Sequence, residues 1–202
     1  MRIYCLAHAL FCVLFAICDL TDAETCDFSR IPLQQNFNMK RFLGNWFEEE
    51  RTELQWGQNT WHSAVWNLFE AANGTSYFSY TGHSESKGCS SPETGFFTDT
   101  SLNGRVTLTS EKGQYELTFQ VAYTDYQHVA LVYMCYEPLV NGVCHKGKMH
   151  LSLLSRHSPL TSQQRSTLIS HLGNTCLVEA DIIKALTGLC VAPTPDPVLV
   201  GR

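Results

Sequence analysis

Short stretches of the chain alternate between apolar and polar residues, which is the pattern of β-strands with one buried face. In residues 105–109 valine and leucine alternate with polar residues, and in residues 115–121 every second residue is apolar. Gly, Asn and Ser separate these stretches, and the Asn-Gly pairs among them are typical of tight hairpins. The pattern predicts eight strands, at residues 42–51, 61–70, 75–81, 95–100, 105–109, 114–121, 127–136 and 149–155.

Eight strands joined by short turns predict an all-β fold, an eight-stranded antiparallel up-and-down β-barrel, because closure leaves no exposed sheet edge. In one segment after the last strand, the apolar residues have the spacing of a helix and not of a strand. Leu160, Leu168 and Leu172 suit one face of a helix, with Pro159 at its start and Gly173 at its end. We therefore expect one C-terminal α-helix packed outside the barrel.

The two ends of the chain differ from this body. Arg2 and the nearly apolar residues 3–17 are typical of a secretory signal peptide, with cleavage after Cys18 or after Ala23. The run is too short for a membrane span. We expect a signal peptide at 1–23, one domain at 24–192 and a proline-rich, disordered tail at 193–202. The mature protein is then extracellular, with no membrane insertion.

Six cysteines lie beyond the signal peptide, and an even number in an oxidising compartment predicts three disulfides. Their scattered spacing lacks a C-x-x-C pair, which argues against a zinc site, and we predict no metal. The six are Cys26, Cys89, Cys135, Cys144, Cys176 and Cys190.

Charge and motifs exclude several functions. The formal net charge is −5 and there is no basic block, which argues against nucleic acid as a partner. The chain has no G-x-S-x-G, H-E-x-x-H or phosphate-loop motif, so we predict neither an enzyme nor a cofactor. Asn73 begins the sequon Asn-Gly-Thr, which predicts a surface glycan.

Three short motifs follow one another in order. Gly44-Asn-Trp46 opens the first strand, Thr124-Asp-Tyr126 precedes the seventh, and Arg156 follows the eighth, ahead of the helix. Together they resemble the signature of the lipocalins, and residues 130–135 resemble apolipoprotein D-like members in particular. The resemblance covers residues 26–190 and implies a carrier of a small hydrophobic ligand. The signature residues are Gly44, Trp46, Thr124, Asp125, Tyr126 and Arg156.

The resemblance implies that these residues close one end of the barrel. Trp46 offers a flat apolar body, and Arg156 can lie across its ring. Gly44 allows close approach of the chain, while Thr124 and Asp125 can hydrogen-bond the backbone of a turn.

The resemblance also implies disulfide pairs. Cys26 with Cys135 matches a family pair, Cys89 with Cys190 would be the second, and Cys144 with Cys176 the third. A rival scheme joins Cys135 to Cys144 across their hairpin and leaves Cys26 for Cys176. The sequence leaves both schemes open.

Strand parity then predicts which side chains face a ligand. If Cys135 points outward, Val132 and Met134 point inward, and an inward Arg156 places Leu154 inside as well. The second strand is aligned by the resemblance, and the register of the aromatic third strand, which includes Phe78, stays open. The predicted lining is His62, Ala64, Trp66, Leu68, Tyr77, Tyr80, Val132, Met134, Tyr136, His150, Ser152 and Leu154.

Such a mixed lining suits a fatty acid, steroid, retinoid or tetrapyrrole. His62 and His150 leave a haem- or biliverdin-binding lipocalin as an alternative. A further alternative is a scaffold for extracellular matrix or a cell-surface receptor, bound through loops at 55–59 and 84–93. The charged run 48–51 is expected to emerge toward solvent. Oligomeric state has no signal in the sequence.

Overall fold

The computed structural model of the chain describes residues 25–53, 61–84, 88–102, 104–173, 176–185 and 190. The predicted signal peptide and the proline-rich tail lie outside these residues. None of the described helices is long and apolar enough to cross a membrane.

Eight antiparallel strands of the described residues form a closed barrel, as predicted. Each barrel strand pairs with the next one along the chain, and the last pairs with the first to close the sheet. The barrel strands are β2 (Gly44–Thr52), β3 (Trp61–Glu70), β4 (Ser76–Ser84), β6 (Glu93–Leu102), β7 (Arg105–Ser110), β8 (Glu116–Thr124), β9 (Val129–Cys135) and β11 (Met149–Ser155).

Short elements attach the two ends of the chain to this barrel. Strand β1 (Thr25–Asp27) pairs with β10 (Val143–His145), and β5 (Gly88–Cys89) pairs with β4. Strand β12 (Ile182–Lys184) pairs with the far half of β2, where the pairing of β2 with β3 has ended. The remaining elements are helix α1 (Met39–Phe42), helix α2 (Ser162–Ser170) and 3₁₀ turns at Phe28–Arg30, Lys146–Lys148 and Glu179–Asp181.

Local chemistry explains the turns and the ends of the elements. Asn141 and Gly142 have φ of 54° and 79°, the two positive values that a type I′ hairpin requires. Phe42, predicted as the start of a strand, instead ends helix α1. Helix α2 begins at Ser162 rather than at Pro159, because the Thr161 hydroxyl caps it by accepting from the Gln164 backbone N–H.

The buried apolar residues form two layers, one on each face of the barrel wall. The outer layer lies between the wall, helix α2 and the N-terminal segment, with Leu168 of the helix completely buried there. The inner layer lies inside the barrel. It contains Phe42, Trp46, Trp66, Leu68, Phe78, Phe97, Val106, Leu108, Leu117, Phe119, Val121, Tyr126, Ala130, Val132, Met134 and Leu154.

The disulfides follow the rival scheme. Cys135 bonds to Cys144, and Cys26 bonds to Cys176. The pairs Cys26–Cys135 and Cys144–Cys176 are therefore wrong, because the connection behind β9 folds back and brings Cys144 to Cys135, with 6.0 Å between their Cα atoms. The third pair, Cys89–Cys190, is present as expected.

Candidate ligand-binding site

One end of the barrel, here called the floor, is closed by Trp46 and Arg156. The Trp46 side chain is completely buried, and the Arg156 guanidinium carbon lies 3.7 Å from its ring centroid. Arg156 donates from Nη1 to the Asn45 carbonyl (2.8 Å) and from Nη2 to the Phe42 carbonyl (3.1 Å). Burial lowers the pKa of Arg156 to about 10, so it is still charged at neutral pH. Trp46 and Arg156, which were predicted to close this end together, are thus in contact.

The turn between β8 and β9 supports the floor. Asp125 Oδ1 accepts from the backbone N–H groups of Gln127 (3.0 Å), His128 (2.7 Å) and Val129 (3.0 Å). Burial opposes ionisation, but the hydrogen bonds from Val129 and His128 hold the pKa of Asp125 below its usual value.

Two further signature residues complete this turn. The Thr124 hydroxyl donates to the Val129 carbonyl (3.0 Å) and accepts from the Tyr126 N–H (2.9 Å). The Tyr126 hydroxyl accepts from the Asn38 N–H at 3.0 Å, at the start of helix α1. These residues join the turn to the segment that leads into β2, which is a structural role.

Aromatic rings fill the half of the barrel next to the floor. The ring centroids of Phe42 and Trp46 are 4.9 Å apart, and Phe97 lies 5.7 Å from Phe78 and 5.8 Å from Phe119. A Cβ added at Gly95 would lie 2.4 Å from the Phe78 ring, so the packing there is tight. The half of the barrel away from the floor is therefore the candidate binding region.

Most of the predicted lining faces the barrel interior. Tyr80 and Tyr136 are partly buried and pack against the inner layer. His150 and Ser152 are buried on the same face of β11 as Leu154. His62 lies on β3, but its side chain is outside the described part of the structure. Ala64 is buried on the same face of β3 as Trp66 and Leu68. The predicted residues that belong to the inner layer are Trp66, Leu68, Val132, Met134 and Leu154.

Tyr77 does not line the interior. Its ring stacks on Phe69 at 5.7 Å and meets Phe96 edge-on at 6.2 Å, on the outer face of the sheet. Because neighbouring residues of a strand face opposite ways, Phe78 takes the inward position. The register of this strand was the one that the sequence left open.

The charged run of β2 is buried, so the expectation that it emerges toward solvent is wrong. Glu48, Glu49, Glu50 and Arg51 are each at most 6 % exposed. The pairing with β11 shifts by one residue at Glu49, since Glu48 faces Leu154 and Glu50 faces Leu153. This β-bulge turns Glu48 and Arg51 inward and Glu50 outward.

Helix α2 and strand β11 cover the outward acids of this run. Arg165 of the helix donates from Nε to Glu50 Oε2 at 2.8 Å, and from Nη1 to Glu179 at 2.7 Å. The Ser155 hydroxyl donates to Glu49 Oε1 at 3.0 Å. Each buried carboxylate on this face therefore has a donor from a neighbouring element.

Inside the barrel, Glu48 is the centre of a polar cluster. Its Oε1 accepts from His150 Nε2 (3.0 Å) and from the Ser152 hydroxyl (2.5 Å). Burial opposes its ionisation, but the hydrogen bond and charge of His150 hold the pKa of Glu48 below its usual value. Burial also raises the pKa of Tyr80 and Tyr136 far above their usual range, which keeps both hydroxyls neutral.

This cluster lacks the geometry of a catalytic triad. In a triad the acid contacts one ring nitrogen of the histidine and the nucleophile the other. Here Ser152 Oγ lies 2.8 Å from the same Nε2 that contacts Glu48. The imidazole cannot relay a proton between them, and the arrangement suits binding.

Three buried nitrogens in this region have no hydrogen-bond partner. They are Arg51 Nε, Trp66 Nε1 and His150 Nδ1, on side chains that are 6 %, 7 % and 3 % exposed. Buried polar atoms in proteins are nearly always paired, so these three nitrogens are candidate contacts for a bound group. The family resemblance placed Trp66 inside the barrel and strand parity placed His150 there. Neither placed Glu48 and Arg51 inside, because the bulge has no signal in the sequence.

A scan against protein-family models and a search of curated proteins by sequence both return no match. Solved structures do match, and three of the similar chains are crustacyanins, which are lipocalins. Lobster apocrustacyanin A1 aligns with a TM-score of 0.60 and 15 % identity, over 75 % of this chain and 80 % of that one. The likeness supports the lipocalin-like barrel fold.

Two further crustacyanin chains give the same result. Apocrustacyanin C2 aligns with a TM-score of 0.61 and 15 % identity, over 76 % of this chain and 82 % of that one. Apocrustacyanin C1 aligns with a TM-score of 0.59 and 14 % identity, over 81 % and 84 %. At these identities the comparison concerns the fold alone.

Proposed function

We propose that the protein is a secreted lipocalin, of the apolipoprotein D-like type, that carries a small, mainly apolar ligand inside its barrel. The similar solved structures are lipocalins, which supports a binding role rather than catalysis. Three disulfides fit an extracellular protein. The lining mixes apolar side chains with a few polar groups, as small-ligand sites do.

The observation that carries this proposal is the unpaired indole N–H of the buried Trp66 side chain. Its ring is buried in the inner layer, 4.4 Å from the Tyr80 ring, yet its indole N–H has no acceptor. A buried tryptophan usually finds a partner for that group. A ligand in the barrel would supply the acceptor and cover the apolar side chains around it.

The test is titration with retinol, a steroid and cis-parinaric acid, followed by tryptophan fluorescence and native mass spectrometry. We expect a one-to-one complex and quenching that is reduced in Trp66→Phe. Tyr77→Phe, on the outer face, is the matched control and should quench like the unaltered protein. If no compound of the panel forms a complex, the carrier proposal is wrong and the scaffold for matrix or a receptor is favoured.

The geometry gives little support to the haem- or biliverdin-binding alternative. His150 Nε2 is held by Glu48 and Ser152, so only Nδ1 is free to meet iron. The His62 side chain lies outside the described residues. A fatty acid, steroid or retinoid uses the same lining without a metal ligand, and we favour these classes.

A further inference from the structure

Arg51 is a buried cation, 6 % exposed, without an anionic partner in the part of the chain that the structure describes. It lies opposite Ser152 in the pairing of β2 with β11, and residues opposite each other share a face of the sheet. Among the described residues, no carboxylate lies within 4.0 Å of its guanidinium. Its Nε also has no hydrogen-bond partner. A buried charge in this condition is costly, and proteins normally pair it.

Glu48, an acid on the same face, has its Oε1 hydrogen-bonded by other groups. Its Oε1 accepts from His150 and Ser152. Arg51 acts on Glu48 only at longer range, through its charge. The Nε donor of Arg51 therefore has no partner among the described residues and is available to a bound ligand.

Trp66 adds a second unpaired donor to the same lining. The charge of Arg51 acts on Tyr80, and the Tyr80 ring lies 4.4 Å from that of Trp66. The N–H groups of arginine and tryptophan can donate but cannot accept. Both therefore require an acceptor, and a guanidinium is best matched by a carboxylate, which takes two of its N–H groups at once.

We propose that the barrel binds an amphiphilic carboxylic acid, with the carboxylate on Arg51 and the apolar body against Trp66 and Met134. The inference rests on the carrier function proposed above and names the ligand class for the same site. The aromatic rings near the floor occupy that half of the barrel, so the acid binds in the other half, beside Arg51.

The test compares decanoic acid with decanol by isothermal titration calorimetry. The two share a chain length and differ in the head group. We expect the acid to bind about tenfold more tightly, the effect of a charge-assisted hydrogen bond. Arg51→Gln should remove this preference and leave the affinity for decanol unchanged. Arg30→Gln, at an exposed arginine, is the matched control and should keep the preference.

A stability measurement separates binding from a structural role. Removing an uncompensated buried charge should leave the melting temperature of the ligand-free protein unchanged or raise it. Trp66→Phe keeps an aromatic ring, though a smaller one, and loses one N–H donor but no charge, so it should weaken binding of the acid less than Arg51→Gln does. A lower melting temperature in Arg51→Gln, with acid binding unchanged, would overturn the inference.

The outcomes also distinguish this inference from the carrier function. If acid and alcohol bind equally and Arg51→Gln changes neither, the carboxylate inference is wrong while the carrier function stands. If the protein binds retinol but neither decanoic acid nor decanol, the inference is likewise wrong. If it binds none of the three compounds, the carrier function itself fails.

Discussion

At the residue scale, Gly44 shows how one position controls the closed end of the barrel. Its φ of +101° is one that side chains rarely adopt, and an added Cβ would lie 3.0 Å from Arg156 Nη1. The Arg156 guanidinium cannot move away easily, because it lies on Trp46 and donates to several carbonyls. Glycine at this position is thus required twice, by the backbone and by the contact.

We predict that Gly44→Ala destabilises the protein by about 1 kcal/mol from the left-handed backbone and a further ~1–3 kcal/mol from overpacking. The measurement is urea denaturation. Gly113→Ala is the matched control, since Gly113 has φ of +62° and open space around it. An equal loss of unfolding free energy in the two variants would show that the contact with Arg156 does not contribute to the effect.

At the element scale, hydrogen bonds in the first turn stabilise helix α2, which is only nine residues long. The Thr161 hydroxyl accepts from the Gln164 N–H, and Gln164 Oε1 accepts from the Thr161 N–H at 2.9 Å. This capping box fixes the start of a helix whose buried contact is Leu168. Arg165 on the same helix covers the buried acid Glu50.

We therefore expect Thr161→Ala to lower the free energy of unfolding by about 1 kcal/mol through loss of the cap. Ser162→Ala, one position further on, is the control and should change it by less than about 0.5 kcal/mol. Thermal unfolding followed by circular dichroism measures both. An unchanged Thr161→Ala protein would mean that helix α2 contributes little to the cooperative fold.

At the scale of the whole molecule, disulfides and short strands fasten both chain ends to the barrel. Strand β1 pairs with β10, and Cys26 joins the segment behind helix α2 through Cys176. Strand β12 pairs with β2, and Cys190 bonds to Cys89 beside β4. The bonds Cys26–Cys176 and Cys89–Cys190 thus join distant parts of the sequence, while Cys135–Cys144 joins near neighbours.

The separations predict unequal contributions to stability. Cys26–Cys176 spans 150 residues and Cys135–Cys144 spans 9. Because a longer loop constrains the unfolded chain more, replacing the first pair by serines should cost about 2 kcal/mol more than replacing the second. Denaturant unfolding measures the costs, and peptide mapping of the unreduced protein checks the pairing. A peptide containing Cys26 bonded to Cys135 would contradict the scheme.

Local features of the fold could be predicted from the sequence. Alternation of apolar and polar residues depends only on strand geometry, so all eight barrel strands were found. The Asn-Gly turns follow from backbone preferences of two residues, as at Asn141 and Gly142. Where two local signals competed the result was less accurate, and Thr161 rather than Pro159 sets the start of helix α2.

Only the tertiary structure decided the interior of the site. Parity counted along β2 cannot detect the bulge at Glu49, and the bulge is what turns Arg51 into the barrel. Whether Glu48 meets water or His150 depends on a strand about a hundred residues away in the chain. The cysteine pairs likewise depend on which loops meet. The sequence by itself determined the barrel strands, because the alternation of apolar and polar residues repeats locally, and the resemblance to the lipocalin signature predicted the closed end. The charged lining required the closed barrel, because its contacts join distant segments.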